Sequence, residues 1–161
     1  MPKQAIPTWF FVLVVVRRGD QFLLVQERKH EQSWYLPAGR VEPNEDFASA
    51  ARRETLEESG VTVELEGIVR IEHSPRADNH SRVRVLFTAS ATGAAEPKKF
   101  ADEHSLQAAW FTLDEVTKLP LRGAEVVELL EFVAAGAPIY PPGLITVEDA
   151  PFVVTAPQGR R

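Results

Sequence analysis

Three glutamates at helical spacing are the residues of this chain whose types and positions could do chemistry. Glu54, Glu57 and Glu58 occupy positions i, i+3 and i+4, so on a helix their side chains would project from one face. Like charges at these spacings repel, at a cost of roughly a few tenths of a kcal/mol for each pair. The cluster therefore indicates either a fully solvated helix face or a site that holds a cation.

The oxygen ligands of this cluster determine which cation it would prefer. Carboxylates are hard ligands that select magnesium, manganese or calcium over zinc. Magnesium usually keeps several waters and takes few carboxylates, while substrate phosphates complete its shell. The chain has no cysteine, and a zinc site at His73 and His80 would lack a third ligand. The sequence therefore favours Mg²⁺, with Mn²⁺ as a substitute.

The residues around the glutamates have the pattern of a helix. Pro43-Asn44 predicts its start, with Asn44 as the N-cap, and Gly60 predicts its end. Glu45 would place negative charge in the first turn, where the helix dipole stabilises it. We expect this helix over residues 45–59.

The apolar runs elsewhere predict a mixed β-sheet with few helices, which is the pattern of an α/β sandwich. Strands are expected over residues 9–16, 21–26, 61–71, 82–91 and 105–112, a second helix over 123–135, a constrained turn over 34–40, and loops over 73–81 and 92–102. One domain over residues 1–136 would be followed by a proline-rich extension over residues 137–161. The extension would lie along its own domain or along a partner in a homodimer.

Composition narrows the classes of function that this chain could serve. Its 161 residues, 44% hydrophobic and 25% charged, are typical of one globular domain. The net charge of −5 argues against binding to nucleic-acid polymers, which usually requires a basic surface. The apolar run over residues 9–16 is too short to cross a membrane, and the first residues lack the pattern of a signal peptide. We expect a cytoplasmic protein that acts on a small molecule.

A longer spacing pattern surrounds the glutamates. Gly39 is followed after five residues by Glu45, after seven more by Arg53-Glu54, then by Glu57-Glu58 and by Gly60-Val61. This pattern resembles the Nudix box of the Nudix hydrolase (MutT-like) family. Thr55 departs from the family, which usually has an aliphatic residue there. Residues 34–43, 105–110 and 119–122 are also similar to family members that hydrolyse 8-oxo-guanine nucleoside diphosphates, and the match spans about residues 8–135.

The resemblance implies a fold and a metal site. The fold would be the Nudix α/β/α sandwich with a mixed β-sheet, and the box would form a loop followed by a helix. The metal ligands would be the three glutamates together with the backbone carbonyl of Ala38 or Gly39. Arg53 and Glu45 would orient these ligands, since their spacing of eight residues is near two helical turns.

The implied reaction is Mg²⁺-dependent hydrolysis of a phosphoanhydride bond in a nucleoside diphosphate derivative. A carboxylate should take the proton of the attacking water, and the candidates are Glu54 and an acid in the loop before the last strand. Glu103 is the first candidate in that loop and Asp102 the second, with a solvated loop acid as the alternative. Arg28 and Arg76 are candidates for contacts with the phosphates, although both also fit ordinary surface positions.

The substrate stays open at this stage. Trp9, Phe11, Phe87 and Trp110 are aromatic residues on predicted strands, where they would stack on a nucleobase or form core. The loop over residues 73–81 could read a polar base edge. The substrate could be an oxidised purine nucleotide (8-oxo-dGDP or 8-oxo-dGTP), a nucleoside diphosphate sugar such as ADP-ribose, or a dinucleotide polyphosphate. A non-catalytic nucleotide sensor is the alternative from another class, but such a module usually lacks box glutamates that are present here.

Overall fold

The backbone forms a mixed β-sheet with helices on both faces. The computed structural model describes residues 3–93 and 96–153. Its strands are β1 (Thr8–Arg18), β2 (Gln21–Gln26), β3 (Trp34–Tyr35), β4 (Ala38–Arg40), β5 (Val63–Pro75), β6 (Ser81–Ala91) and β7 (Gln107–Thr112). Its α-helices are α1 (Phe47–Ser59), α2 (Leu113–Val116) and α3 (Glu125–Ala134), and 3-10 turns cover His30–Gln32 and Pro142–Leu144.

Strand β1 lies at the centre of the sheet. In the described residues the strand order is β3-β2-β1-β6-β5, with β4 paired to β1 and β7 paired to β2. Strand β1 runs parallel to β6 and antiparallel to β2 and β4. The turn between β1 and β2 places Gly19 at a φ of 62°, a conformation that residues with side chains rarely adopt. Because both faces of β1 are covered, residues 12–16 form a continuous apolar run and do not alternate with polar residues.

Alternate residues of β1 pack against the two helical layers. Val12 and Val14 belong to a buried cluster that contains Ala50 of α1. Leu13 belongs to a second cluster on the opposite face, which contains Leu130 of α3. The architecture is a three-layer α/β/α sandwich with a mixed sheet, so the predicted fold class is confirmed.

Helix α1 starts two residues later than the sequence predicts. The expected N-cap, Asn44, is wrong, because the Asp46 carboxylate accepts a hydrogen bond from the Ser49 backbone N–H at 2.7 Å. Asn44 instead takes a left-handed conformation in the preceding turn, with a φ of 64°. The predicted stop at Gly60 is confirmed, with a φ of 75°. Glu45 therefore lies outside the helix.

Thr55, which departs from the family pattern, is accommodated in the core beneath α1. Its side chain is fully buried, and its hydroxyl donates to the Ala51 carbonyl at 2.7 Å. The buried hydroxyl thus has a partner within its own helix, which avoids the cost of an unsatisfied polar group.

The residues predicted as one constrained turn over 34–40 are organised differently. They form the short strands β3 and β4, which pair with β2 and β1 respectively. Strand β4 brings Gly39 opposite Val12. The expected loop over residues 92–102 includes residues 94 and 95, which lie outside the described residues. None of the described helices has the length and apolar character needed to span a bilayer.

The described part of the C-terminal extension folds back onto its own domain. Tyr140 and Ile68 exchange two backbone hydrogen bonds of 2.8 and 2.9 Å, which adds the extension to the edge of β5. Gly67 permits this approach, since a β-carbon there would overlap Ile139 and the Tyr140 carbonyl. Ile145 packs against the core cluster on the α1 face. The boundary at residue 136 stays a prediction, and residues 154–161 of the extension lie outside the described residues.

Candidate active site

One turn of α1 brings two of the candidate glutamates to a shared partner. Arg53 donates through Nη1 to Glu54 Oε1 at 2.9 Å and to Glu57 Oε2 at 3.1 Å. The Glu54 side chain is only 13% exposed, and burial raises its pKa, an effect that the hydrogen bond from Arg53 opposes. Two carboxylates that would otherwise repel each other are therefore held at one point by a single guanidinium.

Arg53 is itself fixed by the loop before α1. Its Nε and Nη2 donate to the two oxygens of Glu45 at 2.7 and 2.9 Å, and Nη2 also donates to the Arg40 carbonyl at 3.0 Å. Hydrogen bonding to Glu45 raises the pKa of Arg53 and lowers the pKa of Glu45. Paired donors of this kind combine charge with a defined geometry. The structure thus contains the Arg53–Glu45 pair that the resemblance implies.

Gly39 lies directly against the Glu54 carboxylate. A β-carbon at this position would overlap the carboxylate carbon and both of its oxygens. The absence of a side chain therefore lets the backbone of β4 approach the acidic cluster closely. The expected role of the backbone carbonyl at Ala38 or Gly39 as a metal ligand stays a prediction.

Glu58 is turned toward β4 and away from Arg53. Its Oε2 accepts a hydrogen bond from the Ala38 backbone N–H at 2.9 Å. Burial raises the pKa of Glu58 to about 8, and the charges of Glu54 and Glu27 contribute in the same direction. The three glutamates therefore belong to one site but do not point to one place.

A loop before β7 closes over the C-terminal end of α1. Lys98 donates through Nζ to the Glu57 carbonyl at 2.8 Å and to Asp102 at 2.5 Å, and Ser105 Oγ donates to the Glu58 carbonyl at 2.6 Å. The Lys98 ammonium lowers the pKa of Asp102 to about 2. Sequence reasoning missed Lys98 and Ser105. The signal that could have found Lys98 is its position four residues before Asp102, as a cation spaced to pair with an acid.

The two candidates for the general base in the loop before β7, Asp102 and Glu103, differ in their surroundings. Asp102 is engaged by Lys98, whereas the Glu103 side chain is 88% exposed and lies 3.7 Å from the His104 imidazole. His104 in turn approaches Glu57, with 3.8 Å between Nδ1 and Oε2. The structure therefore brings Glu103 near the cluster only through His104.

Arg28 holds the same loop. Its Nη1 donates to the Asp102 carbonyl at 2.7 Å, across 74 residues of sequence. In this position the side chain anchors the loop that covers the end of α1. Its predicted contact with phosphates stays a prediction.

The donor set fits a divalent ion bound with few protein ligands. In residues 3–93 and 96–153, no three His, Asp or Glu side chains are gathered closely enough to form a complete metal cage. Glu54 and Glu57 nevertheless converge on one cationic group, and the backbone of β4 at Gly39 lies directly against Glu54. One or two carboxylates, completed by water and substrate phosphates, are the usual protein share of a Mg²⁺ shell.

A cavity rich in arginine contains Arg40 of β4 in its wall. It has a volume of about 650 Å³, and its lining includes two aromatic side chains, four arginines, Asp78 and His80; the aromatic residues and arginines are Trp9, Phe11, Arg40, Arg76, Arg82 and Arg122. Because successive residues of a strand face opposite sides of the sheet, the Arg40 side chain lies on the face opposite to Gly39 and Glu54, and only its backbone carbonyl, which accepts from Arg53, reaches the cluster. We call it the arginine pocket. Its size and aromatic walls suit a nucleotide.

The structure brings only some of the predicted substrate residues to the arginine pocket. Arg76 and two of the four aromatic candidates line it. Trp110 does not, because it packs on the α1 face of the sheet with the Arg18 guanidinium 4.4 Å above its ring. Phe87 is buried in the core. In the loop over residues 73–81, Asp78 pairs with His80 at 2.6 Å.

The fold is that of a Nudix domain. The family model for the NUDIX domain matches residues 10–130, so the chain belongs to the Nudix hydrolase family. Among solved structures, the chain is similar to a NUDIX hydrolase from Nitrosomonas europaea, with a TM-score of 0.73 and 29% identity. That match covers 90% of this chain and 99% of the other.

Curated relatives narrow the comparison further. The chain is 40% identical over 124 residues to the 8-oxo-dGDP phosphatase NUDT18 of Homo sapiens, a match covering 75% of this chain and 37% of that protein. It is 30% identical over 123 residues to the NAD-capped RNA hydrolase NudC of Pectobacterium carotovorum, covering 74% and 45%. The chain therefore spans less than half the length of these relatives.

Proposed function

We propose that this chain hydrolyses a phosphoanhydride bond of a nucleoside diphosphate derivative, with Mg²⁺ as its ion and a nucleoside monophosphate as one product. The observation that carries the proposal is the convergence of Glu54 and Glu57 beside Gly39 in a Nudix domain. Nudix hydrolases generally use divalent metal ions. Acidic side chains that can hold such an ion suit a reaction at a phosphate, because the ion offsets phosphate charge.

Each residue of the site has a defined task in this proposal. Glu54, Glu57 and Glu58, with the backbone of Gly39, would hold the ion, which when bound would offset phosphate charge and polarise a water. Arg53 keeps Glu54 and Glu57 together. Glu54 is the first candidate for the base that accepts the proton of the water, because its carboxylate lies beside Gly39 within the cluster. Glu103 is the alternative base.

The proposed substrate is an oxidised purine nucleoside diphosphate of the 8-oxo-dGDP type. Support comes from the 40% identity to a protein named for its action on 8-oxo-dGDP. The retained glutamates favour catalysis over nucleotide sensing. A free nucleotide fits a pocket of about 650 Å³, whereas the net charge of −5 disfavours a nucleic-acid polymer.

A substrate panel tests this function. The protein is incubated with 8-oxo-dGDP, 8-oxo-dGTP, dGTP, ADP-ribose and diadenosine polyphosphates in Mg²⁺ or in EDTA, and nucleoside monophosphate release is measured. We expect Mg²⁺-dependent turnover that is fastest with 8-oxo-dGDP. Glu57→Gln should reduce kcat by at least about a hundredfold, the scale of one lost electrostatic group. Glu64→Gln, which removes the same charge from an exposed position on β5, should not. Full activity of Glu57→Gln would contradict the assignment.

A further inference from the structure

Three cations in the arginine pocket have no acidic partner. Arg122 is paired with Glu27 at 2.8 Å. In the described parts of the chain, Arg40, Arg76 and Arg82 have no carboxylate at ion-pairing distance. The acidic residue in the lining of the pocket, Asp78, pairs with His80. Unpaired positive charge of this density repels itself and calls for an anion.

Arg82 is the most constrained of the three. Its guanidinium stacks on the Phe11 ring, 4.4 Å from the centroid. Its Nε is buried and has no hydrogen-bond partner among the described residues. Burial lowers the pKa of Arg82, and the charges of Arg84 and Arg76 add to this effect. A buried charged donor without a partner costs stability, which is expected where a ligand supplies the acceptor.

Neighbouring arginines show that this lack of a partner is specific to the pocket. Arg84 is two residues further along β6 and pairs with Glu72 at 2.5 Å and with Glu125 at 3.1 Å. Arg82 and Arg84 therefore lie on the same strand and the same face, but among the described residues only Arg84 has carboxylate partners. The unpaired member is the one that lines the cavity.

The pocket is also preorganised by the pairing of its strands. Arg82 is opposite Trp9 in the parallel pairing of β1 and β6, and Arg40 is opposite Phe11 in the pairing of β1 and β4. The Arg40 guanidinium lies 4.1 Å over the Trp9 ring. Aromatic stacking restricts both guanidinium groups before a ligand arrives, which lowers the entropy lost on binding.

We propose that Arg82, supported by Arg40 and Arg76, binds a phosphate group of the substrate and sets the affinity of the enzyme for it. The inference rests on the proposed function in one respect, namely that the ligand is a substrate. The planar fork of donors on arginine matches phosphate oxygens. The phosphate has two sources, the scissile diphosphate or a further phosphate elsewhere on the nucleotide.

Ligand binding without turnover tests the site itself. Thermal unfolding in EDTA is measured for the wild type, Arg82→Gln and Arg17→Gln, alone and with inorganic pyrophosphate or deoxyguanosine 3′,5′-bisphosphate. Arg17 is the matched control, since its guanidinium lies over Phe22 at the other end of β1. We expect Arg82→Gln to keep or raise the Tm of the free protein and to abolish the shift that a phosphate probe causes. Arg17→Gln should keep that shift.

Kinetics distinguish the two sources of phosphate. For 8-oxo-dGDP, Arg82→Gln should raise KM about tenfold or more if the scissile diphosphate is bound, as for one lost charge-assisted hydrogen bond. If a further phosphate is bound, the wild type should prefer a substrate with an added 3′-phosphate, and Arg82→Gln should lose this preference. Either result supports the site.

Two outcomes would overturn the inference. These are a lower Tm of free Arg82→Gln, which indicates a structural role, or a Tm shift with both phosphate probes that is as large in Arg82→Gln as in the wild type. Failure of the proposed function is distinguishable, because it would leave every nucleotide intact while the phosphate probes still raise the Tm of the wild type.

Discussion

Glu58 should destabilise the metal-free protein at neutral pH. Its carboxylate is buried beside Ala38, and its pKa is raised from 4.5 to about 8. The folded protein therefore binds a proton that the unfolded chain releases above pH 4.5. Stability that is present below this value is lost as pH rises toward 8. We expect Glu58→Gln, which keeps the shape and an acceptor oxygen, to raise the free energy of unfolding at pH 7.

The size of this change in the free energy of unfolding follows from the pKa shift of Glu58. Each pKa unit corresponds to about 1.4 kcal/mol, so release of the Glu58 proton by the unfolded chain, while the folded protein keeps it, lowers the free energy of unfolding by roughly 3 kcal/mol between pH 4.5 and pH 7. We expect a measured gain of about 1–3 kcal/mol for Glu58→Gln at pH 7, since water penetration and relaxation reduce such penalties. The gain should fade as pH approaches 4.5. Urea unfolding in EDTA, followed by tryptophan fluorescence from pH 5 to pH 8, measures it.

Glu45 is the control, because its effect on stability should depend on pH in the opposite direction to that of Glu58. Its pKa is lowered by the hydrogen bonds from Arg53, so its stabilising contribution is present at pH 7 and is lost as pH falls below the ordinary value of 4.5. Glu45→Gln should therefore destabilise the protein at pH 7. A Glu58→Gln variant that is less stable than the wild type at pH 7, or whose effect is independent of pH, would refute the reasoning. The variant should also lose turnover, which separates stability from activity.

Two further predictions concern glycine and the extension. Gly39→Ala should lower kcat/KM at least about tenfold, because its β-carbon would displace the Glu54 carboxylate, an electrostatic group of the site. Gly123→Ala, where a β-carbon meets nothing within 4 Å, is the control, and equal activity of the two variants would exclude the contact. Removal of residues 137–161 should lower the Tm by roughly 5 °C or more, since it deletes the Tyr140–Ile68 pair and the packing of Ile145. An unchanged Tm in a thermal scan would mean that the domain is complete at residue 136.

Local pattern accounts for the part of the site that the sequence predicts. Glu54, Glu57, Arg53 and the stop at Gly60 depend on spacing within one helix, and the structure brings the first three together, whereas Glu58 turns toward Ala38. The N-cap was misplaced because Asn44 and Asp46 are equally suitable by type. The backbone path before the helix selects Asp46, whose carboxylate reaches Ser49.

The arginine pocket could not be predicted because its side chains are distant in sequence. Phe11, Arg40, Arg82 and Arg122 come from β1, β4, β6 and the segment before α3. Their meeting depends on the parallel register of β1 and β6, which no local pattern specifies. The position of Trp110 could not be predicted for the same reason, because the register of β7 against β2 directs its side chain to the α1 face.

The parallel pairing of β1 with β6 has a consequence for the order of assembly. The two strands are separated by about 70 residues, so the middle of the sheet closes only when most of the chain is available. Until then the valine-rich segment of β1 lacks its parallel neighbour and can associate with other chains. Arg82 of β6 and Phe11 of β1 contact each other across this strand pairing. The phosphate site proposed at Arg82 therefore forms only after the sheet has closed.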